Sequence, residues 1–224
     1  MGKPLVDGFL SGDRVLVIEF NKRLNYGTER EKLFRDYIDN RPGWECKEAG
    51  KGLLTEQQRD ELNSEFFSFD SNLSVHLLSR FPVKWRETYL ESLRQKETPG
   101  IPVKERFDAD AKCFYKGQIA FDAEIKSDMT TWPNITFCLS GFMWALESQS
   151  QGETEKIYIW DIGDDVARWR YLFLDQIIDY TLDARTGIGL KGSQTPHGRV
   201  PKAKLESNTQ YLCDLLSYFE TVEF

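Results

Sequence analysis

Two short segments share one charge pattern, FDADAK (107–112) and FDAEIK (121–126), and a Lys116-Gly117 pair lies between them. Each alternates apolar and ionisable residues with period two, the period of a strand. Two such runs joined through Lys-Gly predict a β-hairpin over 105–126. On it, Asp108, Asp110 and Lys112 share one face, and Asp122, Glu124 and Lys126 share one face of the second strand. The opposite face carries Phe107, Ala109, Ala111, Phe121, Ala123 and Ile125. Alanines beside the acids let a helix pack closely, so the hairpin is expected at the centre of a sheet. Such rows of acid suit a divalent cation and a general base. The competing reading is a solvated hairpin face with cross-strand Asp–Lys pairs.

The segments around the hairpin alternate in type. DRVLVIEF (13–20) reads as a strand or short buried segment. A helix is predicted over 28–41, with Thr28 as N-cap, Glu31 as its capping-box acid and Pro42-Gly43 as the stop. Its apolar stripe is Leu33, Phe34, Tyr37 and Ile38. Residues 44–49 form a short strand. Residues 53–98 form a helical insertion or subdomain, with an apolar stripe of Trp85, Tyr89, Leu90 and Leu93, closed by TPGIP. After the hairpin come a buried helix over 133–148, a strand over 155–162 and a helix over 166–183 capped by Asp164 and Asp165. A glycine-rich loop with a short strand and a final helix (205–224) complete the chain. The helix between the second hairpin strand and the 155–162 strand predicts a parallel crossover. The fold class is therefore α/β, a mixed sheet flanked by helices in a single domain with an insertion.

Bulk properties restrict the function classes. The formal net charge is −7, from 29 Lys and Arg against 36 Asp and Glu, which argues against holding nucleic acid by bulk charge alone. Local basic patches and a carboxylate site that needs metal before it meets phosphate are compatible with that charge. No apolar run approaches the roughly 20 residues of a membrane span. The first residues have no stretch suited to a signal peptide, so a cytoplasmic protein is expected. Cys46, Cys113, Cys138 and Cys213 are widely spaced and read as free thiols rather than as a zinc site or disulfide framework.

Glu124 and Lys126 form an E-x-K on one strand, with Asp108 or Asp110 on its neighbour. Two carboxylates from adjacent strands can hold Mg²⁺, with Mn²⁺ the alternative ion. A lysine beside them can orient a water, or deprotonate it where burial lowers the lysine pKa. In these residues the sequence resembles the PD-(D/E)xK nuclease superfamily, which includes many restriction endonucleases. The resemblance covers about residues 28–162, with 50–100 as an insertion. Phe107 and Ala109 stand where the family's proline would precede the first acid.

The resemblance implies a restriction-endonuclease-like αβββαβ core built from the 28–41 helix, the 44–49 strand, the hairpin, the 133–148 helix and the 155–162 strand. It implies a Mg²⁺-dependent endonuclease acting on double-stranded DNA, of restriction type and so a homodimer. Asp110 and Glu124 would be metal ligands, with Asp108 competing for the first position, and Lys126 would position or activate water. Many members add a glutamate on the first helix. Glu29, four and eight residues before Leu33 and Tyr37, is the expected match, with Glu31 assigned to the cap.

The most basic stretch, with Lys191, Ser193, Gln194, His197, Arg199 and Lys202, is the candidate nucleic-acid contact. The loop could equally be an ordinary flexible segment. Two other functional classes fit the same acids. One is a non-catalytic nucleic-acid or protein-interaction module on the same core. The other is a triphosphate-processing metal enzyme reading Asp122-Ala-Glu124-Ile-Lys126 as its motif. His76, within LSVHLLSR, reads as a packing or surface histidine.

Overall fold

The computed structural model describes residues 25–50, 53–95, 97–103, 109–127, 133–152, 154–185 and 197–222. The 13–20 segment, Asp108 and the 186–196 part of the basic stretch, with Lys191, Ser193 and Gln194, lie outside these residues. Five strands form the main sheet: β1 (Trp44–Glu48), β4 (Ala111–Tyr115), β5 (Gln118–Lys126), β7 (Lys156–Trp160) and β8 (Arg170–Phe173), side by side in that order. All neighbours are antiparallel except β5 and β7, which run parallel. The hairpin is therefore central, as its alternation predicts. Lys116 and Gly117 both take positive φ, at 49° and 82°, the conformation a tight two-residue hairpin turn needs.

Two layers of helix cover the sheet. On one face Ala111, Cys113, Phe121, Ala123, Ile125, Ile157 and Ile159 meet Phe34 and Ile38 of α1 (described over 25–39) and Leu212, Leu215, Leu216 and Phe219 of α8 (Leu212–Thr221). On the other, Tyr158, Trp160 and Leu172 meet Phe142 and Met143 of α5 (Leu139–Ser150). The 53–98 segment joins this second layer. It contains α2 (Glu56–Ser64), β2 (Phe66–Ser68), α3 (Asn72–Ser79) and α4 (Val83–Gln95). Trp85, Tyr89 and Leu93 of α4, together with Leu77 and Phe81, share a core with α5.

The segment is closed by β2 pairing with β3 (Gly100–Pro102). A Cβ on Gly100 would lie 2.0 Å from the Phe67 carbonyl oxygen. Gly100→Ala must push the two strands apart, and a loss of about 1–3 kcal/mol is expected, read as a lowered midpoint in urea unfolding.

Three predicted elements differ. The helix expected from 133 is first a strand, β6 (Asn134–Cys138), and turns helical only at Leu139. Ile135 and Phe137 are buried while Thr136 is exposed, so the period there is two. Its partner is β10 (His197–Pro201), which also pairs with β9 (Asp183–Arg185) to make a three-stranded sheet. The helix expected over 166–183 is a single 3₁₀ turn (Val166–Arg168), then β8, then α6 (Leu174–Tyr180). Aromatic Tyr171 and Phe173 fit the edge position that β7 offers. Asp165 does cap this segment, accepting from Ala167 N–H at 3.1 Å. The final helix is two, α7 (Lys202–Asn208) and α8. All four cysteines are free, Cys46 and Cys113 buried and Cys138 and Cys213 partly exposed.

Candidate active site

The site is made where β5 outruns β4. The last β4–β5 pair is Ala111↔Ala123, yet β5 continues to Lys126. Beyond that pair, Ile125 N–H points toward the β4 side, where the described residues Ala109 and Asp110 are not in a strand. Asp110 supplies the acceptor: its Oδ2 takes the Ile125 N–H at 2.6 Å. The Asp110 N–H in turn donates to Ala123 O at 2.9 Å. One carboxylate oxygen is thus anchored to the backbone of the strand that carries Glu124 and Lys126.

Glu124 and Lys126 stand on the same face of β5 and form an ion pair, with side chains 15% and 21% exposed. Their neighbours on β7 are Tyr158 and Trp160, both buried. Burial pushes the Asp110 carboxyl up to about 6, against the opposing pull of Lys126 and with a further push from Glu31. Burial works to lower Lys126, but the carboxylates of Glu124 and Asp110 outweigh it and hold its pKa above the ordinary lysine value. Lys126 is therefore a charged hydrogen-bond donor at neutral pH. The expectation that it deprotonates a water through a lowered pKa does not match this environment.

A raised folded-state pKa on a carboxyl means that the folded protein binds the proton more tightly than the unfolded chain does. Without metal, ionised Asp110 costs stability above about pH 6, and the cost fades as pH falls toward 3.8. Asp110→Asn keeps an oxygen for Ile125 N–H and removes the charge. In EDTA at pH 7.5 it should raise stability by about 1–2 kcal/mol, or roughly 2–8 °C in Tm. The gain should shrink on acidification and vanish below about pH 4. Thermal melts of both proteins from pH 4 to 8 check this.

The helix acid at this end is Glu31, not Glu29. Glu29 is exposed. Glu31 is half-buried, and burial raises its pKa, with Arg35 and Lys126 pulling it down and Glu124 and Glu48 pushing it up. The core stripe of α1 runs through Phe34 and Ile38, which are fully buried, while Leu33 is 42% exposed. Three and seven residues before that stripe stands Glu31. Thr28 lies inside the helix, which is already formed at 25, so Glu31 is not held by a cap there.

Asp122 lies on the predicted face but is enclosed by lysines. Its Oδ2 is 2.5 Å from Lys156 Nζ on β7, and its Oδ1 is 3.2 Å from Lys112 Nζ on β4. Both are its cross-strand partners in register. Asp122 is taken up in these two ion pairs, in a buried setting rather than on a solvated hairpin face. Asp161, just past β7, is likewise committed. Arg30 of α1 grips it through Nε at 2.6 Å and Nη2 at 2.5 Å, and its guanidinium stacks 4.9 Å from the buried Trp169 ring.

Among the described residues no three His, Cys, Asp or Glu side chains converge closely enough to hold a metal ion. The donor chemistry still fits Mg²⁺, which takes one or two carboxylates and keeps waters or substrate phosphate oxygens. Asp110, just before β4, and Glu124 on β5 are hard oxygen donors, and Asp110 is a half-buried carboxylate that a cation would relieve.

Of the basic stretch, His197 and Arg199 are half-buried on β10, opposite Cys138 and Thr136 of β6. Lys202 opens α7, and its charge reaches Asp161, whose N–H bonds Lys126 O at 2.9 Å. His76 is half exposed and pairs with Glu147 of α5 at 2.7 Å. Among the described residues no helix is long and apolar enough to cross a membrane. No protein-family model, characterised protein or solved structure matches this chain.

Proposed function

We propose that this chain is a Mg²⁺-dependent endonuclease that hydrolyses phosphodiester bonds in double-stranded DNA, of restriction type and acting as a homodimer. The observation that carries the reading is that Asp110, tied to Ile125 N–H, lies beside the strand that carries the Glu124–Lys126 pair at the end of β5, with Glu31 of α1 within electrostatic reach. The strand order β1-β4-β5-β7, with α5 in the parallel crossover, supports the resemblance to the αβββαβ nuclease core. Asp110 and Glu124 would hold the ion, with Asp108 the alternative first ligand. When bound, Mg²⁺ supplies Lewis acidity toward a phosphoryl oxygen and acidifies water.

The protein's residues do the rest. Lys126, kept protonated by its two acids, donates a hydrogen bond that aims a water at phosphorus and offsets developing negative charge. Glu31 takes the place proposed for Glu29, as the helix acid that modulates the strand pair. His197, Arg199 and Lys202 are the described part of the proposed DNA contact. Hydrolysis leaves 5′-phosphate and 3′-hydroxyl ends.

One observation favours the alternative, an interaction module on the same core: Glu124 is already paired with Lys126. Mn²⁺ titration calorimetry separates the two. The nuclease reading requires a site in the wild type that Glu124→Ala loses. No binding in either protein supports the module.

A further inference from the structure

Arg35 stands one helical turn beyond Glu31 on α1, and its side chain is 16% exposed. Its Nη2 is 3.8 Å from Oε2 of Glu48, beyond hydrogen-bonding distance. Its Nη1 is buried and meets no hydrogen-bond acceptor. An unmet donor on a buried guanidinium is costly, more so than for a neutral group, and a charge drawn inward should find a partner. Glu48 pairs in register with Ala111, the residue next to Asp110. Arg35 is thus at the same end of the sheet as the site acids. Its charge pulls down the carboxyls of both Glu31 and Asp110.

An acceptor oxygen brought to this end of the sheet by a bound substrate would complete that donor. A planar guanidinium that is partly exposed and has an unmet donor matches the oxygens of a phosphate, which it can take in pairs. We propose that Arg35 binds a non-bridging oxygen of the scissile phosphodiester, beside Asp110 and Glu124, and stabilises the charge that builds there during attack. This role rests on the endonuclease reading. In the step it serves, a water oxygen bonds to phosphorus and releases a proton to solvent, and the bond from phosphorus to the 3′ oxygen breaks. The electron pair leaves with that oxygen, which is protonated by solvent to the 3′-hydroxyl. Arg35 gains and loses no proton.

An arginine that only balanced the acids would behave differently. Its removal would tighten cation binding and leave the chemical step alone. The test compares wild type, Arg35→Met and Arg35→Lys in Mg²⁺-dependent cleavage of duplex DNA, with Mn²⁺ calorimetry on each. Arg35→Met should bind Mn²⁺ at least as tightly as wild type, which shows an intact fold and site, yet lose about 10²-fold in kcat. Arg35→Lys should recover little, because an ammonium cannot offer two parallel donors. Wild-type kcat in Arg35→Met, or full recovery in Arg35→Lys, overturns the proposal while leaving the nuclease reading in place. A wild type that binds no Mn²⁺ and cuts no DNA overturns both.

Discussion

Lys126→Ala should retain its fold and its metal site and lose DNA cleavage by about 10²–10⁴-fold, the range for removing a positioned proton-transfer or charge-stabilising group. The fold should survive because Lys126 is at the end of β5, partly exposed and paired with Glu124 rather than with the core. Its backbone contribution, the carbonyl that receives Asp161 N–H, is kept in alanine. Metal affinity should hold or rise, because a positive charge beside two carboxylates is gone. Circular dichroism, Mn²⁺ calorimetry and plasmid cleavage together check the three parts. Cleavage at the wild-type rate would remove Lys126 from the chemistry. Equal loss of folding and activity would reduce it to a structural role.

The second large effect concerns stability. Asp122→Ala should destabilise the protein by about 3–5 kcal/mol, because it removes the carboxylate that faces the buried ammonium of Lys156. Asp122 and Lys156 have side chains only 2% and 6% exposed and meet at 2.5 Å. Lys112 is 46% exposed and can turn to water, so Lys156 carries the loss. The charge, not the volume, should be the cause. The double replacement Asp122→Leu with Lys156→Met should therefore recover most of the stability, as apolar substitutes for a buried pair often do. Urea unfolding of the two single variants and the double variant measures the coupling directly.

The effects at Lys126 and Asp122 separate two kinds of charged residue on one strand. Asp122, Glu124 and Lys126 share a face, and the period of two shows that much in the sequence. Which of them is locked in an ion pair between strands depends on β7, some thirty residues on. Lys156 lies opposite Asp122, whereas Tyr158 and Trp160 lie opposite Glu124 and Lys126. That register is a long-range fact, and no local pattern in FDAEIK carries it.

The same division explains what was legible in the fold. The hairpin, β1, β7 and the parallel crossover follow from alternation, a Lys-Gly turn and an intervening helix. NITFC and RYLF are short apolar runs that fit either period, and their pairing with β10 and β7 decides them as strands. On α1, the choice between Glu29 and Glu31 depends on helical phase. A helix start at Thr28 makes Glu31 a capping acid and puts Leu33 on the core stripe. The phase set by Phe34 and Ile38, the two fully buried positions, turns Glu31 toward the sheet. Phe34 and Ile38 belong to the stripe read from the sequence, so three-residue spacing from them was the signal available. The free end of β5 was not legible at all, because it depends on β4 beginning only at Ala111 while Asp110 bends its carboxylate back to Ile125 N–H.

The most direct measurement is incubation of the purified protein with supercoiled plasmid in Mg²⁺, beside the same reaction in EDTA. The account predicts conversion to linear or discrete fragments with metal and intact plasmid without it. Plasmid that stays supercoiled at stoichiometric protein, in Mg²⁺ and in Mn²⁺ alike, would contradict it.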